Sequence, residues 1–498
     1  LVGSEMCIRD STNTNTFTLV MAPDKADVKL PSDKELLEMT QKGFSQQITK
    51  TEEKKIATSL MTQLPNPGKV TSTAKDDKLG TTTYTLSNGI KVTIKTTDFK
   101  SDEILMNGIK KGGTGSYGVA DKSNANFATD VVENMGLGEF TPTDLEKVIT
   151  GKTIKVDMTI NDISDNIKAS SSVKDFESML QLMYLYMERP RKDKGLFDAY
   201  VQKQKTMMQF ISSNPQAAFV DTAIAVLYDN NPLRRMVFPK AADFEKLNMD
   251  RAVEIYQNEF SGADGYHFTI VGNIKPEVAM PLLEMYIGSL PQSGKPTVVK
   301  DNGVRPVKGT KEIRVHKGKE KKSLIMGVYA GEVPYSEDIA MKAQAVSEVL
   351  NIKVIEDLRE KMGAIYGGGF NSNVAQYPYE RYSFQLQLPC GPENVDKLIA
   401  GANELVQHLK EKGPENKDLD KVKSQWREKH ITDMKENSYW AGKLENIMFW
   451  GRDKDRVLNY QSYVDKLTTN DVKAAANMFF NDKSSKFVAV LLPETDAK

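Results

Sequence analysis

In the stretch FATDVVENMGLGEF (127–140), Asp130, Glu133 and Asn134 stand at i, i+3 and i+4, a spacing that sets all three on one face of a helix. His-x-x-Glu-His uses the same spacing to place two imidazoles and a general base around zinc. Here both imidazole places are taken by other residues, Asp130 and Asn134. A zinc hydrolase needs two imidazoles one turn apart, a third protein ligand and an open position for water. An Asn amide is a poor zinc donor, and one carboxylate does not replace two imidazoles. The residues therefore predict a core helix over 126–136 with Phe127, Val131, Val132 and Met135 inward. Asp130, Glu133 and Asn134 are expected to be relics of a motif and not ligands.

The four histidines do not repair the deficit. None precedes His267, and His267, His316, His408 and His430 are too scattered to pair at metal spacing. They read as ordinary core or surface residues. Gly367-Gly368-Gly369 lacks the Lys-Ser/Thr of a phosphate loop and suits either close backbone approach or a flexible strand. KGTKEIRVHKGKEKK (308–322) reads as an edge strand guarded by lysines. ENSYWAGKLENIMFW (436–450), with two of the three tryptophans, reads as core or interdomain packing.

The elements that carry these residues are duplicated. DFEKLNMDRAVEIYQNEFSGADGYHFTIVGN (243–273) parallels YVDKLTTNDVKAAANMFFNDKSSKFVAVLLP (463–493), an offset of roughly 210–220 residues. Each copy holds a capping residue, an amphipathic helix, a polar turn and an apolar strand. TIKVDMTI (153–160) and RYSFQLQL (381–388) alternate as half-buried strands do. Val395, Leu398, Ile399, Ala402, Leu405, Val406 and Leu409 form one helical stripe, and a counterpart runs from Phe176 to Met187. Charged helices follow at about 196–213 and 417–436. TYTLSNGIKVTI reads as a hairpin whose Asn88-Gly89 supplies the positive φ values of a tight turn. The predicted class is α+β: two tandem homologous domains, each an antiparallel sheet packed against helices. Their expected bounds are 76–296 and 305–498, joined by the Pro/Gly-rich LPQSGKPTVVKDNGVRPVKG (290–309).

Composition narrows the function. Of 498 residues, 39% are hydrophobic and 27% charged, which describes a folded globular chain. Lys+Arg and Asp+Glu are both 67, so the basic excess of a nucleic-acid binder is missing. No apolar run approaches a transmembrane span. Two cysteines, Cys7 and Cys390, exclude a disulfide scaffold. The chain starts at Leu1, and LVGSEMCIRDS shows no signal-peptide pattern. We expect a fragment whose first eleven residues are extraneous.

Two such domains in tandem resemble half of an insulinase-like (pitrilysin) zinc metallopeptidase, over nearly the whole chain from about residue 17. The resemblance implies four homologous domains in two halves, with zinc in the first domain. FTLVMAPDKADV (17–28) resembles the last strand of the preceding half, so residues 1–75 are expected to hold that strand and a helical linker. The family's third zinc ligand, a Glu some seventy to eighty residues beyond the motif, has no counterpart. Residues 199–220 contain no acidic residue, and Met207 or Met208 stands roughly in its place. In LREKMGAIYGGGF (358–370), Arg359 and Tyr366 match, at Arg-x6-Tyr spacing, a family pair that reaches the zinc site and holds the substrate backbone. One departure is Gly363, three places before Tyr366, where the family usually has Gly immediately before the Tyr. Without the resemblance, Arg359 is a helix C-terminal cation and Tyr366 a strand-edge residue.

The resemblance thus implies a non-catalytic C-terminal half that shapes a peptide-degrading chamber. Its partners would be peptide substrates and an N-terminal catalytic half, which holds the zinc; this chain holds no cofactor, and nucleic acid is not a partner. The alternative is a catalytically inactive structural or interaction homologue. The resemblance suggests a bacterial, periplasmic protein, although no residue here sets the compartment.

Overall fold

A computed structural model of the chain describes residues 17–22, 28–45, 59–295, 297–365 and 367–494. Cys7 and residues 23–27 of the expected leading strand lie outside the described residues. The chain divides into two compact units, 1–56 and 57–498. In the first, helix α1 (Asp33–Ser45) opens on a reciprocal cap. Ser32 N donates to Glu35 Oε2 at 2.8 Å, and Glu35 N donates to Ser32 Oγ at 3.4 Å. Residues 17–22 carry no strand pairing.

The second unit holds two sheets. β1 (Val70–Asp76), β2 (Thr81–Leu86), β3 (Lys91–Thr96), β4 (Ile104–Lys111), β5 (Ile154–Ile160), β6 (Ser164–Ser171) and β7 (His267–Gly272) build the first, in the order β1-β2-β3-β7-β4-β6-β5. β8 (Thr310–His316), β9 (Ser323–Glu332), β10 (Gly369–Ala375), β11 (Arg381–Cys390) and β12 (Ser485–Leu492) build the second, in the order β10-β11-β9-β12-β8. Read in reverse, the second order repeats β3-β7-β4-β6-β5, with β1 and β2 as an added hairpin. This is the α+β duplication expected from sequence. The sheets are mixed, not purely antiparallel: β3 runs parallel to β7 and β8 parallel to β12. In each lobe a long helical excursion separates the two parallel strands, as a parallel pair requires.

The β2–β3 connection differs in detail from expectation. Gly89 alone takes a positive φ, 83°, and Asn88 does not. Leu86 N donates to Ile90 O at 2.8 Å and Gly89 N to Leu86 O at 2.9 Å, which makes a three-residue loop. The Asn88 amide is committed elsewhere, donating to the carbonyls of Ile287 at 2.8 Å and Leu290 at 3.1 Å.

On one face, each sheet carries helices from its own lobe. α2 (Lys122–Met135), α3 (Phe176–Glu188), α4 (Lys194–Ser213) and α6 (Met249–Phe260) cover the first sheet. α7 (Glu337–Lys353), α8 (Val395–Lys412), α9 (Asn416–Asp433) and α11 (Thr469–Phe479) cover the second. The repeated caps form as read: Asn248 accepts from Arg251 N and Thr468 from Asp471 N.

The other faces are covered by exchange. α5 (Pro215–Leu227), which directly follows α4 of the first lobe, lays Phe219, Ala223 and Leu227 against Leu324, Met326, Val328 and Ala330 of β9 and Phe487, Ala489 and Leu491 of β12. Reciprocally, α10 (Asn437–Met448) lays Trp440, Ala441 and Leu444 against Leu79 and Val271 of the first lobe. The aromatic stretch at 436–450 is therefore interdomain packing. Polar contacts fix the seam. Thr97 Oγ1 donates to Asn437 Oδ1 at 2.6 Å, and Asn437 Nδ2 to Glu103 Oε2 at 2.9 Å. Covering on both sides explains why β7 and nearly all of β9 are buried without alternation.

His267 sits in that doubly covered strand, with Nε2 2.9 Å from Thr93 Oγ1. Burial, then the charge of Lys91, pulls its pKa from 6.5 down to about 4. The unfolded chain therefore binds a proton that the folded chain refuses between those values. This contribution to stability is intact above pH 6.5 and is lost as pH falls toward 4. We expect His267→Gln to remove up to about 3 kcal/mol of acid sensitivity over that window. Urea unfolding at pH 7 and pH 4 measures it; equal pH dependence in both proteins would refute the assignment.

Candidate functional site

α2 packs Phe127, Ala128, Val131, Val132 and Met135 into the first lobe's core, and its opposite face presents Asp130, Glu133 and Asn134 to solvent. The Asn134 amide folds back along the helix, donating to Asp130 O at 2.8 Å. Asp130 Oδ2 lies 3.5 Å from the Tyr200 hydroxyl. Partial burial raises the pKa of Asp130; burial, then Asp130 and Asp157, raise that of Glu133, opposed by Lys155.

On α4, Met208 is 3% exposed and belongs to the core, whereas Met207 is 47% exposed. Among the described residues, no three His, Cys, Asp or Glu side chains gather to hold a metal. Two carboxylates, an amide turned onto its own helix and a thioether do not fit zinc, whose sites are built of imidazole, thiolate and carboxylate in tetrahedral array. The histidines serve other partners: His316 Nδ1 lies 3.1 Å from Pro493 O, and His430 stacks on Tyr460 at 4.4 Å.

The second candidate lies where α7 ends. Ser336 caps that helix, accepting from Ile339 N at 3.1 Å. From Val354 to Lys361 the winding widens to a π-helix, so that Met362 N reaches Asp357 O at 3.1 Å. Leu358 is drawn inward against α8, where Gly401 leaves room; a Cβ there would lie 2.7 Å from Leu358 Cδ2. Arg359, next in sequence, is exposed and has no side-chain partner among the described residues. Wide turns of this kind recur at functional sites. Tyr366 lies outside the described residues, so its distance to Arg359 is not defined.

Beyond the π-helix come an isolated bridge from Ile365 to Cys390 and then β10 from Gly369. At Gly368, with φ 112°, a Cβ would lie 2.1 Å from Gln387 O. Close approach to β11 thus accounts for glycine there. Cys390 is buried, and its thiol pKa is pushed up to about 11 by burial and then Glu393.

One polar cluster had no signal in sequence. Asp165, fully buried on β6, lies 3.9 Å from Lys110 Nζ of β4. Tyr117 donates to Glu259 of α6. Gly112 runs beneath both carboxylates; a Cβ there would stand 2.3 Å from Asp165 Oδ2 and 2.8 Å from Glu259 Oε2. Burial, then Glu259, raises the Asp165 pKa against the pull of Lys110. The members come from separate segments that no local period links.

The fold therefore pairs two exchanged α+β lobes, with a helix at 122–135 whose Asp130, Glu133 and Asn134 do not fit zinc. Residues 247–426 match the profile described as the peptidase M16 inactive domain. The chain is 22% identical over 411 residues to "Zinc protease PQQL-like" of Arabidopsis thaliana, covering 79% of this chain and 40% of that protein. It is 20% identical over 426 residues to "Probable zinc protease PqqL" of Escherichia coli K12, covering 83% and 44%. The crystal structure of the periplasmic protease PqqL from E. coli superposes with a TM-score of 0.77 at 16% identity, over 93% of this chain and 51% of that one. Together these likenesses support reading the chain as the C-terminal half of an insulinase-like zinc peptidase, with the family profile itself matching 247–426. The chain spans less than half the length of these two curated relatives. Among the described residues, no helix is long and apolar enough to cross a membrane.

Proposed function

We propose that this chain is the non-catalytic half of a zinc-dependent endopeptidase, working in the periplasm as its E. coli relative's description has it. In this reading the lobes at 76–296 and 305–498 wall a peptide-degrading chamber, and residues 1–75 bring the last strand and linker of a preceding domain. Zinc, attacking water and general base belong to an N-terminal catalytic half. Arg359 and Tyr366 reach toward it, offering a guanidinium N–H and a phenolic O–H to the substrate backbone and its developing oxyanion. Fixed donors in a water-poor site suit that task. The observation that carries the reading is the pairing of a family fold with an α2 face that presents Asp130, Glu133 and Asn134 where zinc donors would stand.

The purified chain is expected to retain no stoichiometric zinc after dialysis and to hydrolyse no peptide alone. Elemental analysis and a fluorogenic peptide assay check both; tightly held zinc or unaided cleavage sinks the proposal. The preceding reading frame separates this from a purely structural homologue: a stretch of roughly 400 residues holding His-x-x-Glu-His on a helix supports the peptidase half, and a signal peptide directly ahead of residue 17 supports an independent protein.

A further inference from the structure

Between the two lobes lies a cleft of about 250 Å³ whose charge departs from that of the chain as a whole. The chain is neutral, with 67 basic and 67 acidic residues. Yet Lys122 and Arg235 of the first lobe, Lys300 of the connector and Arg381 of β11 all line this cleft, with Asp162 as the facing carboxylate. A fifth cation, Arg234, is neutralised by Asp221 at 3.0 Å.

The other four form no ion pair among the described residues, although Asp221 and Asp243 act on Lys122 and Asp301 on Arg381 at longer range. Lys122 Nζ donates to the Pro232 carbonyl at 2.7 Å, and Arg381 Nη1 to the Tyr379 carbonyl at 3.2 Å and to that of Tyr377. Carbonyls orient a cation without cancelling its charge. The side chains of Arg235 and Lys300 are exposed and have neither ion pair nor hydrogen bond among the described residues. A cleft with low-dielectric walls focuses such a field.

We propose that this inter-lobe cleft binds a carboxylate-rich segment of a peptide. Asn373 and Ser383, paired across β10 and β11, line it with Gln385. Amide and hydroxyl groups both donate and accept, which suits the N–H and C=O of an extended backbone. The cations come from four separate chain segments, and the amide and hydroxyl groups beside them suit a peptide backbone better than a compact polyphosphate. Lys122 has its pKa lowered chiefly by burial, with the Arg234 charge acting in the same direction against Asp243 and Asp221. That the bound peptide is a substrate rests on the peptidase reading; the binding itself does not.

The test is fluorescence anisotropy of the 498-residue chain with a fluorescein-labelled decaglutamate peptide, a Gly/Ser decapeptide and tripolyphosphate as probes. The acidic peptide is expected to bind, to weaken as salt screens the cleft, and to exceed the neutral peptide. Arg235→Glu with Lys300→Glu is expected to weaken it at least tenfold with an unchanged melting temperature, since both side chains are exposed and unpartnered. Arg235→Lys with Lys300→Arg is expected to preserve binding. Equal affinity in the native and charge-reversed chains overturns the proposal, and so does tight tripolyphosphate binding without peptide binding. No zinc or hydrolysis enters the readout, so failure here is distinct from failure of the peptidase reading.

Discussion

Trp440→Ala is expected to lower the unfolding free energy by about 3–5 kcal/mol, the range for removing a buried large aromatic. Trp440 is 4% exposed and is the largest side chain in the cluster that seats α10 on the first lobe. Its indole N–H donates to Met434 O at 2.9 Å, and Lys95 Nζ lies 4.2 Å over its ring. Truncation would open a cavity, release that carbonyl and remove the cation–π contact together. Ile431→Ala, at 60% exposure, should stay within about 0.5 kcal/mol. Urea denaturation followed by circular dichroism measures both. A loss below about 1 kcal/mol for Trp440→Ala would mean that α10 is not what ties the lobes together.

Arg359→Ala, in the chain assembled with its proposed catalytic half, is expected to cut kcat by about 10²–10³, the cost of one oxyanion donor. The effect should fall mainly on kcat, because an interaction made in the transition state is lost. Arg359 is exposed and lacks a partner within the described residues, so the variant's melting temperature should match the native one. Arg359→Lys keeps the charge but not the planar fork and should recover only part of the rate. Unchanged turnover in the alanine variant would remove Arg359 from the proposed site, leaving it as a cation near the C-terminal end of a helix.

Periodicity carried much of this in advance because it is a local property. Alternation in 153–160 and 381–388, the apolar stripe from Val395 to Leu409, and the caps at Asn248 and Thr468 all depend on neighbours within a few residues, and all appear in the structure. The donor poverty of α2 was legible for the same reason: side-chain chemistry at i, i+3 and i+4 is written in one turn of helix.

What tertiary structure alone decided involves groups far apart in the chain. Nothing in Phe219 or Trp440 says that each covers the other lobe's sheet, or that β7 and β9 are buried on both faces in consequence. The wide π turn that contains Arg359 packs Leu358 against Gly401 of α8, and the Asn88 amide is held by carbonyls some two hundred residues away. Asp165, Glu259 and Lys110 meet in the interior, and Lys122, Arg235, Lys300 and Arg381 line one cleft, only because the fold closes long loops. A sequence period reports which face of an element is apolar; which distant face meets it, and which charges are left facing each other, is settled by packing.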